Sequence, residues 1–173
     1  MKVLIVSETQ CLMVDPGAGA IDGGLEHFKT ILEDRNLLPP SSTRKVSVFL
    51  THHHVDHIEG LPLVASLYPH AVVYGHKATL DRVTTTLPKE YIEPGYEFNI
   101  NGKLTQIGVL RLTAIYPGGQ IVLSVEDGRG HTDGHMVLFQ KESKVLIAGD
   151  HVVGFSSASL DAVCGDMRQV FLN

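Results

Sequence analysis

Directly after the apolar run at residues 46–50 the chain reads Thr51-His52-His53-His54-Val55-Asp56-His57. Four of its ten histidines thus stand within six residues, with an aspartate among them. A short apolar run bounded by polar residues predicts a buried strand. Alternate strand residues face the same way, so His52 and His54 project to one side and His53 to the other. His53 is therefore expected to be structural or exposed. The chain then turns toward a helix, which brings Asp56 and His57 round to the region of His52 and His54. Imidazole nitrogens and carboxylate oxygens are the donors that zinc or iron(II) accepts. An affinity tag would neither follow a core strand nor interleave an aspartate.

Two weaker clusters follow. Gly130-His131-Thr132-Asp133-Gly134-His135 precedes one apolar run, and Gly149-Asp150-His151 ends another. Each alone reads as ordinary loop chemistry. With the first cluster they supply a further imidazole and a further carboxylate, and a tetrahedral metal needs three or four donors.

The surrounding pattern predicts an α+β chain. Strands are expected at 3–6, 11–14, 46–50 and 71–74, with helices at 23–35, around 58–67 and at 78–86. Asp15-Pro16-Gly17 stops the second strand. From residue 96 onward strands and turns dominate. Asn101-Gly102 signals a hairpin, a second hairpin joins 136–139 to 145–148, and 157–171 reads as a helix weakened by Gly165. The 173 residues suit a single domain over 1–173. Acidic residues outnumber basic ones 19 to 14, and the basic ones are scattered. That argues against a nucleic-acid partner or an anionic membrane. Cys11 and Cys164 form no CxxC pair, no secretory leader is visible, and no apolar run reaches the roughly 18 residues of a membrane helix. The expectation is an intracellular, cytoplasmic protein acting on a small molecule, with homo-oligomerisation open.

The order of the clusters resembles a known family. Thr51-His52-His53-His54-Val55-Asp56-His57 looks like the THxHxDH signature of the metallo-β-lactamase superfamily. His131-Thr132-Asp133-Gly134-His135 is similar to its HTxGH motif, Gly149-Asp150 to its GD motif, and Asp15-Pro16-Gly17 to its DxG turn. The nearest flavour is that of glyoxalase II-like and lactamase-β-like hydrolases. The resemblance implies a four-layer αββα sandwich, incomplete at both ends here, with metals at one edge. It implies that His52, His54 and His131 hold a first zinc, that Asp56 and His57 hold a second, and that Asp150 bridges them. A metal-bound hydroxide would then attack an ester, thioester or related bond, with Asp56 as the catalytic carboxylate. Asp15 reads equally as an orienting residue or a turn former, His135 as a structural hydrogen-bonding residue, and His151 as facing the substrate or the ligands. His27, His70 and His76 read as surface or loop residues.

The chain departs from the family pattern twice. Asp127-Gly128-Arg129-Gly130 stands where many relatives have Thr-Pro-Gly, and no histidine follows His151, where dinuclear members usually carry one more ligand. Four explanations therefore compete: a truncated form of a longer enzyme, a firm first metal with a weak second, a catalytically impaired metal-binding domain, or a persulfide dioxygenase with one iron on His52, His131 and Asp150.

Overall fold

A computed structural model describes residues 3–17, 23–38, 40, 43–101, 104–109, 112–114, 120–152 and 160–170. The chain opens with an antiparallel pair, β1 (Val3–Ser7) and β2 (Gln10–Val14), in register Val6↔Cys11. The Ser7 hydroxyl holds the turn by accepting from the backbone N–H of Gln10 at 3.0 Å. Then α1 (Gly24–Asp34) crosses to β3 (Lys45–Phe49), which lies parallel to β2. Next come α2 (Val55–Ile58), α3 (Leu61–Leu67), β4 (Val72–Gly75), α4 (Lys77–Leu80) and β5 (Lys89–Tyr91), and β3, β4 and β5 are also mutually parallel. Pro62 sits in the first turn of α3, where its missing N–H costs nothing, so it starts this helix rather than breaking it.

The remaining strands are β6 (Glu97–Ile100), β7 (Leu104–Val109), β8 (Leu112–Ala114), β9 (Ile121–Asp127), β10 (Met136–Gln140) and β11 (Val145–Ile147), and α5 (Met167–Val170) follows. Two sheets result, one ordered β5-β4-β3-β2-β1-β7-β8 and the other β11-β10-β9-β6.

Strand periodicity separates two cores. On β1, Leu4 and Val6 face α1 and α3, where they pack with Phe28, Leu32, Leu61 and Val64. Val3 and Ile5 face the second sheet and pack with Phe98, Leu123, Val125, Met136 and Leu138. Being covered on both faces is why the first-sheet strands read as unbroken apolar runs. The α+β sandwich expected from the motifs is thus the observed fold, with α1 and α3 on the outer side of the seven-stranded sheet. No helix among the described residues is long and apolar enough to cross a membrane.

Three local expectations are corrected. The hairpin expected at Asn101-Gly102 is not formed: β6 pairs with β9 in one sheet and β7 with β1 in the other, and Gly102 itself lies outside the described residues. The helix expected at 78–86 is the single turn α4. The Lys89 ammonium takes the Leu80 and Val83 carbonyls at 2.7 and 2.6 Å, and Thr84-Thr85-Thr86 is a β-branched run that lengthens no helix. The helix expected at 157–171 is helical only over Met167–Val170 among the described residues. The hairpin of β10 and β11 stands, with Leu138 opposite Ile147.

Candidate metal centre

The site is assembled where the parallel strands end. β2 delivers Asp15, the loop after β3 delivers Thr51, His52 and His54, and α2 delivers Asp56 and His57. The second sheet contributes two loops: the one before β10 carries His131, and the one after β11 carries Asp150. Backbone hydrogen bonds lock the loops together. Leu50 N–H donates to the Tyr74 carbonyl at 2.9 Å, Asp15 N–H to Phe49 at 3.0 Å and Met136 N–H to Thr51 at 2.9 Å.

Every residue expected at the site reaches it. His52 Nε2 and His131 Nε2 each lie 3.0 Å from His54 Nδ1 and 3.3 Å from one another. Asp150 Oδ2 lies 3.8 Å from His131 Nε2. Beside this cluster, His57 Nε2 lies 3.0 Å from Asp150 Oδ1 and 3.5 Å from Asp56 Oδ2. Three sets of donor atoms are therefore close enough to share an ion: His52–His54–His131–Asp150 and Asp56–His57–Asp150, with Asp150 common to both, and beside the first of them His53–His54–Asp161. Tetrahedral zinc with nitrogens at about 2.0–2.1 Å sets those nitrogens about 3.3–3.4 Å apart, so the three-histidine face fits such an ion closely.

Asp15 is fully buried and organises both sets from behind. Its carboxylate accepts from Thr51 N–H at 2.8 Å, from the Thr51 hydroxyl at 2.7 Å and from His57 Nδ1–H at 3.0 Å. The Thr51 hydroxyl spends its only proton on that carboxylate. It must therefore accept from His52 Nδ1–H, 3.0 Å away, which leaves His52 Nε2 as a lone pair facing the cluster. His57 differs: with Nδ1–H given to Asp15, it turns Nε2 toward Asp56 and Asp150 and donates a second proton to Asp150 Oδ1 at 3.0 Å. Asp15 itself adopts a left-handed backbone, φ 50°, which an Asp tolerates. Gly17 follows because a Cβ there would overlap the Asp56 carbonyl of α2. The DxG turn is thus both an orienting device and a steric seat for the metal-binding loop.

The electrostatics follow the burial. Burial, with His57 and other imidazoles beside it, pushes the His52 pKa far down, so the ring stays neutral. Burial opposes charge on His57 as well, but its hydrogen bonds to Asp15 and Asp150 outweigh that and raise it to about 9. The same His57 contact lowers Asp150 to about 2.

The remaining histidines separate cleanly. His53 is half-buried outside the first set, with a buried Nδ1 that has no hydrogen-bond partner among the described residues. The structural hydrogen bond expected of His135 finds no partner among the described residues. The residue is fully buried, its ring centre 4.9 Å from that of His52 and tilted 33° against it. Burial and the nearby His131 lower it to about 3. His151 packs 5.9 Å from it. His76 caps α4, accepting from Ala78 N–H at 3.1 Å, and His27 and His70 are exposed.

One participant lies outside every motif read from the sequence. Asp161, 107 residues beyond His54, places Oδ2 2.8 Å from His54 Nε2. Nothing around it in the chain marks it, and only the fold brings it there.

A family model described as the metallo-β-lactamase superfamily matches residues 3–171. The chain belongs to this superfamily. A curated relative, the hydroxyacylglutathione hydrolase of Citrobacter koseri, is 36% identical over 101 residues, which are 57% of this chain and 36% of that enzyme. The match therefore spans little more than a third of that relative's length. Among solved structures, TTHA1623 in a di-iron-bound form superposes with TM-score 0.66 at 18% identity, covering 99% of this chain and 78% of the other. A metallo-β-lactamase family protein from Thermus thermophilus, TTHA1429, superposes with TM-score 0.63 at 19% identity, covering 98% and 62%. At these identities the likeness is one of fold.

Proposed function

We propose that this superfamily member is a zinc-dependent hydrolase of thioesters or related esters, with His52, His54 and His131 holding a first ion. The convergence of three imidazole nitrogens within 3.0–3.3 Å carries the reading. With His52 locked as its Nδ1–H tautomer by Thr51, a lone pair points into that cluster, and such an approach is unfavourable unless a cation lies among the nitrogens. Asp56, His57 and Asp150 supply a second, less complete set.

A zinc ion, when bound, lowers the pKa of a water and polarises the scissile carbonyl. The chain's own residues do the rest. Burial keeps His52 neutral and able to donate its lone pair. Asp15 fixes the rings of His52, through Thr51, and of His57. The Asp56 side chain is 67% exposed and stands at the open edge of the site. There it accepts a hydrogen bond from the attacking water, orients it and takes up its proton. The thioester class rests on the hydroxyacylglutathione hydrolase likeness. The mononuclear iron alternative, on His52, His131 and Asp150, would leave His54 Nδ1 without a role although it lies 3.0 Å from both imidazole nitrogens, nearer than Asp150 Oδ2 at 3.8 Å from His131 Nε2.

The test is hydrolysis of an S-(hydroxyacyl)glutathione by zinc-loaded protein, read as loss of thioester absorbance. Turnover that vanishes in His131→Ala supports the proposal. Oxygen consumption with a glutathione persulfide by the iron-loaded protein, with no thioester hydrolysis, overturns it in favour of the dioxygenase.

A further inference from the structure

The three histidines of the first set are not equally secured. His52 and His131 are buried and fixed by packing, whereas the His54 side chain is 27% exposed. Its Nδ1 faces the other two imidazoles, so the ring must be held from the Nε2 side. The group on that side is Asp161, from a segment that no motif marks.

We infer that Asp161 is a positioning residue: it fixes the orientation and tautomer of His54, so that the last described segment of the chain completes the first metal site. This rests on the proposal that His52, His54 and His131 bind zinc. Two observations carry it. First, the carboxylate is immobilised before it meets His54. Asp161 Oδ1 accepts from the backbone N–H of Val163 at 2.7 Å and of Cys164 at 2.9 Å, which leaves Oδ2 for His54 Nε2 at 2.8 Å. Second, the segment is clipped to the loop that carries another member of the set. Asp161 N–H donates to the His131 carbonyl at 2.9 Å, and Asp166 N–H donates to Gly130 at 2.7 Å. One residue therefore touches His54 by its side chain and His131 by its backbone.

The chemistry is a matter of counting protons. A neutral imidazole carries one N–H, and a carboxylate can only accept. The His54 proton is thus drawn to Nε2, and the lone pair is left on Nδ1, where the metal would lie. Asp161→Asn upsets this in either pose. If the amide oxygen keeps the Val163 and Cys164 N–H groups, its NH2 faces Nε2, which must then accept, and the proton moves to Nδ1 and blocks the metal. If the amide turns round, it keeps His54 without the negative charge and loses the turn.

The experiment compares wild type, Asp161→Asn and Asp166→Asn. Asp166 caps Arg168 N–H at 2.9 Å in the same segment and has no bond to His54, so it controls for damage to the turn. Zinc affinity is measured by competition with a chromophoric chelator. Imidazole 15N spectra of the zinc-free proteins at pH 8 report the tautomers. Asp161→Asn is expected to bind the first zinc about 10–100-fold more weakly, the usual effect of losing a partner of a metal-binding histidine. Its His54 should move from the Nε2–H toward the Nδ1–H form, and Asp166→Asn should match wild type in both. Equal affinity in Asp161→Asn, or equal damage in Asp166→Asn, overturns the positioning role while the zinc reading stands. So does loss of one zinc equivalent with the first affinity unchanged, which would instead place Asp161 in a separate site with His53. Wild-type protein that binds no zinc overturns the zinc reading and this role with it.

Discussion

The two halves of the metal centre are built on opposite principles. The His52–His54–His131 half is made of imidazoles, two of them seated in packed surroundings, with His52 0% and His131 2% exposed. The Asp56–His57–Asp150 half has one buried imidazole between two accessible carboxylates, whose side chains are 67% and 32% exposed. In the first half the geometry is imposed by the packing around His52 and His131, with His54 held by Asp161. In the second it is held by charge, with His57 bridging Asp15 and Asp150. The lesson is that a preorganised neutral half suits permanent occupancy, and an open charged half suits exchange of water and substrate.

Asp15 is the group both halves share, so its removal should have the largest effect. Asp15→Ala strips the acceptor from His57, from Thr51 N–H and from the Thr51 hydroxyl. It should lower unfolding free energy by about 3–5 kcal/mol, the usual result of breaking one side of a buried charged network. Urea unfolding measures it, and a loss below about 1 kcal/mol would show that the two halves stand independently.

Zinc titration probes the contrast more directly. Calorimetry on metal-free protein should give one tight event and a second at least tenfold weaker, a difference of about 1.4 kcal/mol or more. The second set offers fewer donors and shares Asp150 with the first. Two equally tight events would mean that another group completes the open half.

The smallest effect on the fold is expected at Asp56. Its exposed carboxylate holds no part of the core, so Asp56→Asn should change stability by no more than about 0.5 kcal/mol. It should nonetheless abolish most of the proposed hydrolysis by removing the acceptor for the attacking water. Unchanged turnover would move the catalytic carboxylate elsewhere, Asp150 being the next candidate.

How much of this was legible in the sequence varies with distance along the chain. His52, His54, Asp56 and His57 sit within six residues, so strand alternation and one turn of helix nearly determine their grouping. His131 and Asp150 were legible only through their motifs, since nothing local fixes which strands their loops flank. Asp15 was half legible: its turn-forming role is written in Asp15-Pro16-Gly17, but its three hydrogen bonds depend on β2 lying beside β3. Asn101-Gly102 misled because the pair specifies a tight turn and not which sheet the next strand joins.

By itself the sequence determined the mix of strands and helices, through apolar runs and helical spacing, and the donor types, through the clustered histidines and aspartates, while the sandwich was implied by the resemblance of its motifs. The first two are local properties that periodicity and spacing carry. Tertiary structure alone decided that Asp15 stands behind both halves, that His135 is buried among the site's imidazoles without a partner among the described residues, and that Asp161 crosses 107 residues to meet His54. Such contacts form when separate elements pack, and a lone aspartate in a loop bears no mark of the partner that packing will bring to it.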